Sequence, residues 1–319
     1  MNFKPIIIVS GEPYSIFLEI FFKIKNNKFR RPIIIIVSKK LLLNQMKMLK
    51  FKFKINIIDK KNINYRDLDN KKINIIDVDF KFSKTFDMIS DKSNEYIKEC
   101  FRIAIKLLKT NKYIGMINGP ISKKNFLKEK FLGITEYLAH KTKQKKFAML
   151  IYNKNLSVCP ITTHLPLKDV SKNITKSRII NKAKLIHNFY KKKFRKIPNI
   201  AITGLNPHCE SNYSSSEEKN IIIPSIEYLA KKNIKLDGPF AADTLFMKQA
   251  VKKYDAIIDM YHDQVLTPAK TLFEFKSFNI TLGLPFIRIS PDHGPNTLML
   301  GKNLSNPQSL LEALKFLDK

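Results

Sequence analysis

Three cysteines, nine glycines and 27 acidic residues are few for a chain of 319, and tryptophan is missing altogether. Cys100, Cys159 and Cys209 are far apart and odd in number, which excludes a disulfide framework and points to a reducing compartment, the cytoplasm. No Gly-x-Gly-x-x-Gly occurs, so a Rossmann nucleotide loop is not expected. No apolar run approaches the length of a membrane span, so no membrane partner is expected. Residues 1–10 form a short apolar run entered through Lys4-Pro5 and ending at Gly11; it lacks a signal-peptide cleavage pattern and reads as a first buried strand. The shortage of acids sets the charge, with 58 Lys and Arg leaving a net +31. That charge suits nucleic acid, but the lysines are spread along the chain rather than gathered in an arm or patch, and no specific nucleic-acid partner is expected. Lys, Asn and Ile are abundant together, in loops and on helix faces alike, as drift in a genome rich in A and T produces. A general attraction for anionic metabolites remains, weakened by salt.

What is present reads as a globular α/β protein. The apolar fraction of 44% is ordinary, and the length exceeds one comfortable core, so two domains or one bilobed unit is expected. Short β-branched runs at 6–9, 33–37, 113–117, 147–151, 200–203 and 256–260 read as buried strands. Between them, 16–25, 93–110, 176–192, 217–232 and 244–252 read as amphipathic helices. This alternation predicts a mostly parallel sheet with helices on both faces and ligands at the carboxyl ends of the strands. The segment 39–93 is rich in Lys and Asn, with weak strand-like pieces at 54–58 and 73–78, and reads as peripheral structure without chemistry.

Six histidines occur, and three lie in polar, turn-rich segments: Thr162-Thr163-His164-Leu165-Pro166, Asn206-Pro207-His208-Cys209-Glu210 and Tyr261-His262-Asp263-Gln264. His208 follows the run 200–203, His262 lies two residues past 256–260, and His164 follows a shorter run, 157–161. Three neutral imidazoles complete the protein half of an open divalent-metal site, while the bland alternative is three unrelated cap, turn or core histidines. Residues 255–294 are the densest in polar groups. Lys270, Asn279 and Arg288 together suit a phosphate: a point charge, a neutral donor and a planar fork. The competing reading is two more solvated cations among 58. Asp292-His293-Gly294 is a donor-rich turn suited to the adenosine part of a nucleotide, and Asp243 suits a helix cap, a partner to a metal-bound group or a metal ligand. Gly11-Glu12-Pro13 reads as a strand-to-helix turn or a ligand contact.

Taken in order, several motifs resemble the 4-hydroxythreonine-4-phosphate dehydrogenase family. They are Gly119-Pro120-Ile121-Ser122-Lys123, Thr162 to Pro166, Asn206-Pro207-His208, Gly238-Pro239 with Ala242-Asp243-Thr244, Tyr261 to Gln264 with Lys270, Thr281-Leu282-Gly283-Leu284-Pro285, and Ser290-Pro291-Asp292-His293-Gly294. The resemblance implies an isocitrate/isopropylmalate-dehydrogenase-like fold of two α/β/α subdomains with a cleft between them. Here these are taken as 1–130 plus 270–319 and 131–269, the second carrying most metal ligands and dimer contacts. It implies a homodimer whose active site is shared between protomers, and NAD-dependent oxidation (NADP being the alternative) of 4-phosphooxy-L-threonine. The product, 2-amino-3-oxo-4-phosphooxybutanoate, loses CO2 to give 3-amino-2-oxopropyl phosphate in vitamin B6 synthesis. By the resemblance His164, His208 and His262 hold one Zn, Mg or Co ion, with His262 supplied by the neighbouring subunit. Thr135, Lys270, Asn279 and Arg288 bind substrate, His293, Gly294 and Asn296 lie on the cofactor side, and Asp243 and Asp263 are the candidate catalytic carboxylates.

The chain departs from the family pattern in places. Gly133-Ile134-Thr135-Glu136 stands where Gly-His-Thr-Glu is usual, so a substrate-binding His has become Ile134. The stretch from Gly11 to Glu19 has lost two glycines, the usual glycine-rich loop after His208 is Cys209 to Ser216, and Val265 and Pro295-Asn296 replace small or polar residues. These changes touch substrate and cofactor contacts rather than the metal. They leave as alternatives a relative acting on another phosphorylated or cyclic hydroxy acid, a homologue without turnover, and a basic nucleic-acid binder.

Overall fold

A computed structural model describes residues 3–128, 130–210 and 214–319. The chain divides into two compact units, residues 1–137 with 285–319 and residues 138–284. The strands are β1 (Ile6–Val9), β2 (Ile33–Val37), β3 (Ile55–Ile57), β4 (Ile73–Asp77), β5 (Gly115–Asn118), β6 (Ala148–Tyr152), β7 (Ser157–Pro160), β8 (Ile200–Thr203), β9 (Leu236–Phe240), β10 (Ala256–Asp259), β11 (Phe278–Leu282) and β12 (Ile287–Pro291).

In the first unit the strands run β3-β4-β2-β1-β5-β12, and every pairing is parallel. The reason is visible in β1 and β2, which read Ile-Ile-Ile-Val and Ile-Ile-Ile-Ile-Val. Successive side chains point to opposite faces, and every one of these residues is buried, so both faces of the sheet are covered. The helix Asn94–Leu108 supplies one cover, with Ile97, Cys100, Phe101, Ala104 and Leu108 buried at helical spacing. At the carboxyl ends of β1 and β5 two turns meet closely: a Cβ on Gly119 would stand 2.2 Å from the Ser10 carbonyl oxygen.

In the second unit the order is β11-β6-β7-β10-β8-β9. β6 is antiparallel to both β11 and β7, while β7, β10, β8 and β9 run parallel. The expected mostly parallel sheet is what forms. The long helix Lys176–Phe194 starts at Thr175, whose hydroxyl accepts from Arg178 N at 3.3 Å, and stops at Arg195 in the left-handed region. Lys191, Lys192 and Lys193 fill its last turn, where cations complement the helix dipole.

Four elements differ from the sequence expectation. The predicted helix over 244–252 is two single turns, Ala242–Leu245 and Lys248–Val251, because Met247 turns to extended backbone between them. The predicted helix over 217–232 opens as a π-turn, Glu218–Ile222, before Ile223–Ala230. Pro224, lacking an N–H, sits in the first turn that follows, where no amide partner is required. His262 is not in an open turn but begins the helix His262–Phe273; Pro268 inside it hid the helix, which is held by burial of Val265, Leu266 and Ala269. The segment read as peripheral holds the helix Lys39–Met48, capped by the Ser38 hydroxyl accepting from Leu41 N at 3.4 Å.

One core residue opposes folding. Asp259, the last residue of β10, is fully buried, and neither carboxylate oxygen has a hydrogen-bond partner. Burial pushes its pKa up to about 8, and the Thr203 hydroxyl, which lies 3.3 Å from Gln264 Oε1, offsets little of this. The folded carboxyl then keeps a proton that the unfolded chain releases near the ordinary 3.8, so stability falls as pH rises from there to about 8. Asp259→Asn should therefore raise the unfolding temperature, with the gain over wild type growing between pH 5 and pH 8. Thermal melts with a pH-independent gain would contradict this.

Candidate active site

The parallel strands β7, β10 and β8 lie side by side in register, Ile258 opposite Cys159 on one side and Ile202 on the other. Their carboxyl ends therefore finish together, and each leads into a histidine segment. Hydrogen bonds continue past the strands. Ile161 N donates to Asp259 O at 2.6 Å, and Thr162 donates to Met260 O through its amide at 3.1 Å and its hydroxyl at 2.8 Å. Lys182, 9% exposed, donates to the carbonyls of Pro160 at 2.6 Å and Ile161 at 2.9 Å. Gln264 joins the other side, giving Nε2–H to Gly204 O at 2.9 Å and accepting Met260 N at 2.8 Å.

These ties bring two of the three histidines together. The His164 and His262 rings of one chain have centroids 5.3 Å apart at 43°. His262 Nδ1 lies 2.7 Å from Asp263 Oδ1, an arrangement that fixes the ring and leaves Nε2 for a ligand. His208 lies in the single turn Pro207–Cys209, exposed, with φ of 55° followed by 57° at Cys209. Burial pushes the Cys209 thiol up, the Gly204 backbone hydrogen bond opposes it, and the charges of Glu218 and Asp243 add to it. Asp243 is exposed and inside its helical turn; the cap residue is Ala241, so the capping role is not what the structure shows. Among the described residues no group of three or more His, Cys, Asp or Glu is already gathered as a metal site. The donors that stand together are thus a pair of imidazoles with a carboxylate behind one of them, a set that suits a borderline divalent cation.

Lys270 and Asn279 also belong to the second unit. Lys270 is exposed on the helix His262–Phe273, and Asn279 lies in β11 with a buried Oδ1 that has no hydrogen-bond partner.

The first unit gathers a separate cluster. Arg288 is fully buried in β12 rather than beside a turn; its Nε donates to Asn118 Oδ1 at 2.6 Å and Nη1 to Thr135 Oγ1 at 3.4 Å. Burial pushes the guanidinium down to about 9, opposed by Glu136. Thr135 and Arg288 are thus brought together. A cavity of about 480 Å³ opens beside them, lined by Asn118, Ser122, Lys123, Ile134, His293 and Gly294 among others. His293 stacks on Phe17 at 6.3 Å and its Nδ1 lies 3.0 Å from Gly294 O; burial lowers its pKa. A Cβ on Gly294 would meet nothing within 4 Å, so the chain itself does not require glycine there. Asn296 is exposed, in the left-handed region, with Nδ2 2.8 Å from Met299 Sδ. Glu12 is buried, its pKa pushed up to about 7 by burial and eased by Ser93.

Four residues with evident roles here escaped the sequence reading: Asn118, Lys182, Gln264 and Glu218. Gln264 lies within the motif Tyr261 to Gln264, singled out for its neighbours, and Asn118 immediately precedes the motif that begins at Gly119. Lys182 and Glu218 sit on helices, where nothing in the spacing separates a buried charge from a solvated one.

Residues 28–317 match the family model described as "Pyridoxal phosphate biosynthetic protein PdxA". A protein of Sulfurihydrogenibium sp. named 4-hydroxythreonine-4-phosphate dehydrogenase is 39% identical, over 97% of this chain and 95% of that protein. Its namesake from Aquifex aeolicus is 33% identical, over 99% and 98%. The crystal structure of the Klebsiella pneumoniae 4-hydroxythreonine-4-phosphate dehydrogenase superposes with a TM-score of 0.85 at 26% identity, covering 99% of this chain and 98% of that one. A terephthalate 1,2-cis-dihydrodiol dehydrogenase from Burkholderia xenovorans shares the fold at TM-score 0.66 and 18% identity, over 99% and 97%. The chain belongs to the pyridoxal phosphate biosynthetic protein PdxA family, an α/β family of dehydrogenases in vitamin B6 synthesis.

Proposed function

We propose that this protein oxidises the secondary alcohol of 4-phosphooxy-L-threonine with NAD, using one divalent metal ion held by His164, His208 and His262, and that the product then loses CO2. The observation that carries the reading is the pairing of His164 with His262, braced by Asp263, at the shared carboxyl edge of β7, β10 and β8. When bound, the metal would supply a Lewis acid for the hydroxyl oxygen and NAD would supply the hydride acceptor. The chain's own part is to hold and orient. Asp263 keeps the His262 ring turned so that Nε2 is the free donor. Asp243, exposed and with its charge felt by Cys209 next to His208, is the candidate proton acceptor. Lys270 and Asn279 are assigned to substrate in the second unit, and Thr135 and Arg288 in the first. His293 and Gly294 border the cavity assigned to the cofactor, with Asn296 just beyond.

A homodimer and a cytoplasmic location are part of the proposal. Three free cysteines support a reducing compartment, and no helix of the described residues is long and apolar enough to cross a membrane. The resemblance assigns His262 to the neighbouring subunit, whereas the two rings here are neighbours in one chain. Mixed dimers of His208→Ala and His262→Ala chains separate these arrangements: regained activity requires a shared site, and none places all three ligands on one chain.

A second reading, turnover of another phosphorylated or cyclic hydroxy acid, is favoured by Ile134, an apolar side chain on the wall of the first unit's cavity. The deciding assay is NADH formation from 4-phosphooxy-L-threonine with added Zn, Mg or Co. The reading expects metal-dependent turnover, and metal-loaded protein that yields no NADH would overturn it. His208→Ala should lower kcat/KM by about 100-fold or more, since even groups behind a metal ligand contribute about 10- to 100-fold. Ile134→His should lower KM; an unchanged or raised KM would show a pocket adapted to another substrate.

A further inference from the structure

Glu218 is a carboxylate with no solvent exposure at the start of the π-turn Glu218–Ile222. Four donors converge on it. Oε1 accepts the amides of Leu205 at 2.7 Å and Asn206 at 2.9 Å. Oε2 accepts Asn206 Nδ2 at 2.8 Å and Ser216 Oγ at 2.8 Å. Burial pushes the carboxyl up, but the hydrogen bonds, those of Asn206 foremost, outweigh it and hold the group below its ordinary value. It is a buried anion satisfied by the protein itself.

The donors lie on both sides of His208 in sequence, Leu205 and Asn206 before it and Ser216 after it. Two further bonds tie the same residues: Ser216 Oγ donates to Glu210 O at 3.1 Å and Asn206 Nδ2 to Glu217 Oε2 at 3.0 Å. The approach is tight enough that a Cβ on Gly204 would stand 2.9 Å from Glu218 Oε1 and 2.8 Å from Cys209 Sγ. The loop needs this anchor, because His208 and Cys209 both carry side chains at positive φ, 55° and 57°. Such a conformation persists only where the surroundings over-determine it.

We infer that Glu218 is a positioning residue, fixing the 204–209 segment so that His208 is presented to a metal ion. The inference rests on the metal site proposed above. Its carboxylate touches neither metal nor substrate; it acts through the backbone of Leu205 and Asn206.

The test uses the full chain, with Co2+ or Zn2+ affinity read by chelator competition and the metal-free unfolding temperature read alongside. Glu218→Gln keeps the shape and removes the charge; Ser216→Ala removes one donor. Glu218→Gln should bind metal about 10-fold or more weakly, in the range found for groups that orient metal ligands, and Ser216→Ala should shift the same way by less. A Glu218→Gln protein of lowered unfolding temperature but wild-type affinity would show a merely structural role and overturn the inference. Should Glu218→Gln fail to fold, Ser216→Ala decides, with wild-type affinity overturning the inference. Wild-type protein without saturable metal binding would sink the metal reading itself, and this inference with it; wild-type binding with unaffected variants sinks this inference alone.

Discussion

The common register of β7, β10 and β8 is the constraint from which the second unit's chemistry follows. Three parallel strands paired in phase must end at one level, so the segments that leave them start from one edge. The pairing then runs past the strands through Ile161, Thr162, Lys182 and Gln264, which tie each exit to its neighbour. A histidine a few residues beyond such an end has little freedom in where its backbone lies. The proximity of His164 and His262 is the outcome of that alignment rather than of any attraction between the rings.

Charge burial divides the molecule's functional groups from its many solvated lysines. Arg288 and Glu218 are both fully buried and hydrogen-bonded, by Asn118 and Thr135 for the guanidinium and by Asn206, Leu205 and Ser216 for the carboxylate; only for Glu218 do those bonds outweigh burial and favour the charged form. Asp259 shows the contrast. Placed at the same carboxyl edge without partners, it is pushed toward its neutral form instead. Matched and unmatched carboxyls of the second unit thus move in opposite directions for one physical reason.

The isoleucine-rich strands were legible because β-branched runs buried on both faces leave a continuous apolar signature, as in Ile33–Val37. The helix that begins at His262 was not, because Pro268 breaks the local pattern while the packing of Val265, Leu266 and Ala269 restores the helix. The histidine segments could be singled out because His is scarce and each follows a strand end. Arg288 could be named but not placed: nothing in one arginine among 58 cations says that it is buried against Asn118. Glu218 was invisible because its partners are backbone amides twelve and thirteen residues earlier, and donors of that kind leave no mark on a sequence.

The proposed centre is a single metal ion on three imidazoles at one strand edge. X-ray absorption spectroscopy of the cobalt-loaded protein counts those ligands directly. Three histidine nitrogens in the first coordination sphere, falling to two in His208→Ala, is the predicted result. A sphere of water and carboxylate oxygens with one imidazole or none would contradict it.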